Sequence, residues 1–175
     1  GSEMCIRDRY TNDAYVIGQN DNQISINTTL EVDLTGQCCS ESLGSVQFSG
    51  SGGQADTAIG AQKSKNGKSF IALYSTAMAK NPDGTRTEVS KIVPQLKPGA
   101  TVTLSRNDVQ YVVTEYGVAD LRGTSIRERV EKLIAVPAYL APHKHGAAAS
   151  AEDRLEMARL AFSQVKNCEV SAYEC

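Results

Sequence analysis

"FSGSGGQAD", Phe48–Asp56, places Gly50, Gly52 and Gly53 within four positions and follows them with an amide and a carboxylate. Glycine suits places where φ must be positive or where the backbone comes very close to something else. The loop is therefore either a turn that needs backbone freedom or a cradle whose N–H groups approach a ligand. Glycine content alone does not separate the two, because a bare Gly-rich loop is a weak motif.

Upstream of the loop the pattern has period two. Ile24 and Ile26, then Leu30, Val32 and Leu34, are separated by polar residues, which predicts half-buried strands. "VDLTGQ" breaks at Thr35-Gly36, and "GSVQFSG" offers a short strand running into the loop. Beyond it, "DTAIGAQ" predicts one or two helical turns, "KNGK" a turn at Asn66-Gly67, and "SFIALYS" an apolar strand. Asp83-Gly84 and Pro98-Gly99 flank "TEVSKIVP", predicting an antiparallel meander that continues into "TVTLS"; "YVVTEYG" is a further strand.

Helices come late. Ser125 and Glu128 have capping-box spacing ahead of Ile126, Val130, Leu133 and Ile134, and Ser150 with Asp153 repeats the pattern ahead of Leu155, Ala158, Phe162 and Val165. Both stripes read as core-facing. Early strands, late helices and a loop-to-helix transition between them predict an α/β class: a mixed open sheet with flanking helices.

A chain of 175 residues with 41% hydrophobic content suffices for one domain with a sizeable core. The net charge of −2 and the lack of like-charge blocks argue against nucleic acid and anionic membranes as partners. "LIAVPAYLAP" is broken by proline and falls short of the roughly 20 residues of a membrane span. The charged start predicts no signal peptide. Five cysteines, Cys5, Cys38, Cys39, Cys168 and Cys175, include no C-x-x-C pair and are odd in number, so a reducing, cytoplasmic setting is expected and no zinc knuckle. His143 and His145 lack a third ligand of obvious spacing and read as a solvated loop, so no metal site is expected. "GS" resembles a tag scar and "EMCIRDR" a translated sequencing adapter, so residues 1–9 are expected to be a non-native leader.

The ordered series "NDNQISINTTLEVDLTGQ", "FSGSGGQAD", "KSFIALYSTA" and "SKIVPQLKPGATVTLSRNDVQYVVTEYGVADLRGTSIRERVEKLI" resembles the C-terminal domain of the acetyl-CoA hydrolase/transferase group of family I coenzyme A transferases, closest to the 4-hydroxybutyrate and butyryl-CoA:acetate branch. The likeness covers Tyr10 to Ile134 and fades beyond Val136, which implies a core at 10–136 and a divergent helical segment at 137–175.

The resemblance implies ping-pong transfer of CoA between a short-chain acyl-CoA and a carboxylate such as acetate, through an acyl-glutamyl anhydride and a glutamyl-CoA thioester. Such chemistry needs a carboxylate nucleophile and donors facing the developing oxyanion. By residue match, Gly53 corresponds to the family's backbone oxyanion donor and Asn12 to an active-site asparagine. Gly50, Gly52 and Gln54 would shape the loop beside the CoA thiol end, and Lys80 is a candidate for a CoA phosphate or a solvated surface lysine. No tightly bound cofactor is implied; coenzyme A and acyl-CoA are substrates.

The family's nucleophile lies in a His-Thr-Glu type block absent from this sequence, and Glu31, Glu41, Glu88 and Glu115 do not stand in that context. Glu115 reads as structural, bonding donors near Arg122-Gly123. The implied partners are a missing N-terminal domain of the same protein and, in the parent, a second subunit. Alternatives are an acetyl-CoA hydrolase, a non-catalytic CoA- or nucleotide-binding module, and a structural domain whose apolar face packs on the missing half. A Rossmann site is disfavoured, since "GSGGQA" provides no G-x-G-x-x-G with a distant acidic partner.

Overall fold

The computed structural model of the chain describes residues 10–138. Its main sheet has four strands in the order β1 (Ile24–Thr28), β6 (Lys68–Ala72), β10 (Tyr111–Thr114) and β11 (Gly117–Asp120). β1 and β10 both run parallel to β6, and β10 turns back into the antiparallel β11, so the sheet is mixed, as the sequence predicts. Two helices, α2 (Gln54–Lys63) and α3 (Ile126–Ala138), cover one face. Their contact with the sheet forms the core, where Ala58, Ile71, Val112, Ala119, Val130 and Leu133 are almost wholly excluded from solvent.

β1 keeps its predicted alternation with the opposite orientation. Ser25 is buried and Asn27 half-buried under α2, whereas Ile24 and Ile26 face outward, 47% and 71% exposed. Asn27 Nδ2 donates to Ser25 Oγ (2.9 Å) and to Thr57 Oγ1 on α2 (3.1 Å), a polar tie between strand and helix. Hydrogen bonding adds here to the apolar packing of Ala55 and Ala58.

A second sheet, β3 (Cys38–Cys39), β2 (Glu31–Asp33) and β9 (Ile92–Val93), joins the two halves of the chain. β9 pairs parallel to β2, so the expected antiparallel meander is limited to the hairpin β7 (Thr76–Lys80) and β8 (Arg86–Ser90). "TVTLS" contributes one isolated bridge, Cys38 to Leu104, and not a strand. A small hairpin, β4 (Ser42–Leu43) and β5 (Val46–Gln47), leads into the glycine loop.

The turn between β2 and β3 is built around Asp33. Its buried carboxylate accepts from Thr35 N, Thr35 Oγ1, Gln37 N and Gln37 Nε2 at 2.7 to 3.0 Å. Gly36 has φ +93°, and a Cβ there would lie 2.9 Å from Arg129 Nη1. That guanidinium crosses from α3 to donate to Thr35 O and Arg106 O, so one arginine fastens two loops to the helix. Burial lowers the Arg129 pKa from its ordinary value, with Arg106 adding to the shift.

The capping box at α3 forms as predicted. Ser125 N and Oγ donate to Glu128 Oε2 at 2.6 and 2.7 Å, and Glu128 N returns a bond to Ser125 Oγ. Val130 and Leu133 enter the core; Ile126, in the first turn, stays 43% exposed. The second capping box, His143 and His145, the 137–175 segment beyond Ala138 and the 1–9 leader lie outside the described residues.

Candidate active site

The loop at Phe48–Gly52 is exposed, and its start is held by Phe48 N and Ser49 N donating to the Glu41 carbonyl. Gly50, Gly52 and Gly53 do not adopt positive φ; among the described residues the positive-φ glycines are Gly36, Gly44, Gly84, Gly99 and Gly123. Of the two sequence readings, a turn needing left-handed backbone is therefore not what this loop is. Gly50 and Gly52 have open space where a side chain would stand.

Gly53 shows a close approach. Its φ of −80° would admit any residue, yet a Cβ there would lie 3.1 Å from Asn12 Oδ1 and 3.2 Å from Asn12 Nδ2. The Asn12 amide thus fills the space where a Gly53 side chain would stand, bringing together two residues 41 positions apart. Asn12 precedes α1 (Ala14–Gly18), whose N-cap Asp13 accepts from Tyr15 N and Val16 N at 2.7 and 3.2 Å. α1 is pressed on α2 through two glycines: a Cβ on Gly60 would sit 2.6 Å from Ile17 Cβ, and one on Gly18 would sit 3.0 Å from Lys63 Cβ. Small residues at that crossing set how near Asn12 comes to the loop.

Gly53 is also the N-cap of α2, without a side-chain cap, and the helix opens with Thr57 N donating to Gly53 O at 2.9 Å. The N–H groups of a helix's first turn have no intrahelical partner and carry the positive end of the helix dipole. Such a terminus stabilises negative charge. The helix starts beside the C-terminal end of β1, since Gln54 Nε2 donates to Thr28 O at 3.3 Å, and ends beside the start of β1, where Gln23 N donates to Ser64 Oγ. The loop therefore lies at the carboxyl edge of the parallel strands, the usual place for ligands in open α/β sheets.

Gln54 differs from the glycines beside it, being buried and used as an anchor. Lys80 stands on the separate β7–β8 hairpin, exposed and in register with Arg86.

Glu31, Glu41, Glu88 and Glu115 each have a side-chain partner among the described residues. Glu31 is buried with Oε1 3.5 Å from Lys97 Nζ, Glu41 Oε2 accepts from Gln47 Nε2, and Glu88 accepts from Thr76 Oγ1. Glu115 accepts from Ser75 N (2.8 Å) and Ser75 Oγ (2.7 Å), while Arg122 N in the Arg122-Gly123 turn donates to Asp120 Oδ1. Glu115 directly follows β10, so it lies at the same carboxyl edge as Gly53. Its place after the strand end in "YVVTEYG" was the signal available in the sequence. Lys91 is half-buried and its pKa is lowered, because burial outweighs the opposing charges of Glu115 and Glu31. No cluster of His, Cys, Asp or Glu suited to a metal occurs among the described residues, and none of their helices is long and apolar enough to cross a membrane.

Comparison with known proteins places these features in context. The acetyl-CoA hydrolase/transferase C-terminal domain family matches residues 3–139. The succinyl-CoA:cyclohexane-1-carboxylate CoA transferase of Geobacter metallireducens is 58% identical over 125 residues, covering 71% of this chain and 27% of the relative. The 4-hydroxybutyrate coenzyme A transferase of Clostridium kluyveri is 53% identical over 125 residues, covering 71% of this chain and 28% of the relative. Among solved structures, RipA from Yersinia pestis superposes with a TM-score of 0.68 at 41% identity over 88% of this chain and 30% of that one. The chain thus spans little more than a quarter of the length of these two curated relatives.

Proposed function

Because the chain belongs to the acetyl-CoA hydrolase/transferase C-terminal domain family, we propose that it supplies the oxyanion-binding half of a CoA-transferase active site whose nucleophilic glutamate lies in a preceding domain. The observation that carries this reading is the Asn12 amide held against Gly53 at the start of α2. Two kinds of donor converge there, a side-chain amide and the outward N–H groups of a helix terminus.

In the proposed reaction, the glutamate carboxylate attacks the thioester carbonyl carbon, the carbon–sulfur bond breaks and CoA leaves as thiolate, giving an acyl-glutamyl anhydride. The thiolate then attacks the glutamyl carbonyl, releasing the first carboxylate and forming glutamyl-CoA. A second carboxylate reverses both steps and departs as its CoA ester. Every step passes through a tetrahedral oxyanion, and loss of one well-placed donor costs on the order of 100- to 1,000-fold in kcat. The open space at Gly50 and Gly52 leaves room for the pantetheine end of CoA. Transfer is preferred over hydrolysis because both curated relatives described above are CoA transferases. On this reading the substrates are a short-chain acyl-CoA and a carboxylate, the working form is a homodimer in a cytoplasmic setting, and the isolated chain does not turn over.

The test fuses this chain to the upstream part of the Geobacter metallireducens relative and follows CoA transfer from acyl-CoA to carboxylate. Activity in the fusion, absent from the 175-residue chain and reduced about 100-fold by Asn12→Ala, is the expected result. Turnover by the chain alone, lost on substituting one of its own glutamates, would overturn the proposal.

A further inference from the structure

The four-stranded sheet has a second face that no described element covers. On it stand Ile24 and Ile26 of β1, Phe70 of β6, Tyr111 and Val113 of β10, and Val118 of β11. Phe70 and Tyr111 stack with ring centroids 5.0 Å apart, and Ile26 and Val118 are 71% and 58% exposed.

All-parallel sheets occur almost only where both faces are covered, and three of the four strands here, β1, β6 and β10, run parallel. A strand with one covered face normally turns its apolar residues towards the cover. β1 does the reverse: Ser25 and Asn27 point at α2, while Ile24 and Ile26 point at solvent. Turning Ser25 and Asn27 towards the helix while exposing two isoleucines is unfavourable unless a further layer lies over the isoleucines, since stability grows with the apolar surface removed from water.

We propose that this face is the seat of the polypeptide that precedes the domain in its longer relatives, packing an aliphatic or aromatic layer over Ile24, Ile26, Phe70, Tyr111, Val113 and Val118. The occupant is chosen by length: the relatives carry close to three-quarters of their sequence outside the matched region. The proposal rests on the reading of the chain as part of a longer CoA transferase. It adds that the contact is made by the sheet and not by the helices.

The experiment places a thiol at Ile26→Cys and measures its maleimide labelling, above that of the unsubstituted protein, in the 175-residue chain and in the fusion described above. The expected result is fast, concentration-independent labelling in the chain and labelling at least tenfold slower in the fusion. Equally fast labelling in both overturns the proposal. Slow labelling in the isolated chain also overturns it, assigning the face to a second copy if the rate depends on concentration and to the chain's own remaining residues if it does not. If the fusion is insoluble, the aligned position in the full-length Geobacter metallireducens enzyme carries the same comparison. CoA transfer by the unsubstituted fusion is read separately: activity with fast labelling refutes the interface alone, and slow labelling without activity refutes the catalytic reading alone.

Discussion

Gly60→Ala tests how the candidate site is positioned. In an exposed helix interior this change stabilises by about 1 kcal/mol, because alanine loses less backbone freedom on folding. Gly60 is buried in the crossing of α1 and α2, where a Cβ would lie 2.6 Å from Ile17 Cβ and Cγ2 and 3.2 Å from Ala14 O. Ile17 Cβ is rooted on the α1 backbone and cannot rotate aside, so α1 must move. Overpacking of that kind costs about 1 to 3 kcal/mol, and the rigid obstacle favours the upper end. Set against the propensity gain, the net destabilisation is about 2 kcal/mol, read as a lower urea midpoint at unchanged m value. Asn12, two residues before α1, moves with the helix, so transfer activity of the fusion falls as well. Gly53→Ala is the matched control: its φ is already ordinary, and the atoms it meets are the end of the Asn12 side chain, so stability changes by less than about 1 kcal/mol while activity falls. If Gly60→Ala leaves the midpoint unchanged or raises it, the argument that this glycine sets the approach of Asn12 to Gly53 is refuted.

Asp33→Asn replaces one acceptor oxygen with a donor among four N–H and O–H donors in a buried turn, and should lower stability by about 1 to 3 kcal/mol in urea unfolding. Arg129→Met keeps the buried stem but leaves Thr35 O and Arg106 O without their donor, which should cost about 1 to 3 kcal/mol and speed amide exchange in the Asp33–Gln37 turn. Hydrogen bonds from Ser125 hold the Glu128 carboxylate below its ordinary value of 4.5. Its contribution is therefore complete above about 4.5 and fades as pH falls towards the lower folded value. Glu128→Gln should flatten this part of the thermal midpoint's acid dependence, and an unchanged slope would count against the capping box as its source.

The sequence by itself determined the local elements with local causes. Ser125 and Glu128 are three residues apart, so their reciprocal bonds follow from helix geometry alone. The breaks at Gly36, Gly84 and Gly99 were legible because each needs a positive φ that glycine adopts at low cost. The ordered blocks from Ile24 to Ile134 were specific enough to resemble one family. The helix after the glycine loop came out longer than "DTAIGAQ" suggested, since its first residues are anchored by a bond from Gln54 to Thr28, 26 positions away.

Tertiary structure alone decided what touches across the chain. Period two in β1 showed that alternate residues share a face, but a strand's alternation is symmetric and cannot say which face the helices will take. Only the placement of α2, tied through Thr57 to Asn27, turned the isoleucines outward. The parallel pairing of β9 with β2 and the binding of Glu115 by Ser75 are likewise long-range contacts that no local pattern encodes. The purpose of Gly53 was hidden for the same reason. Its backbone angles are ordinary, and the need for glycine arises from an asparagine 41 residues earlier that folding brings to within 3.1 Å of where a side chain would begin.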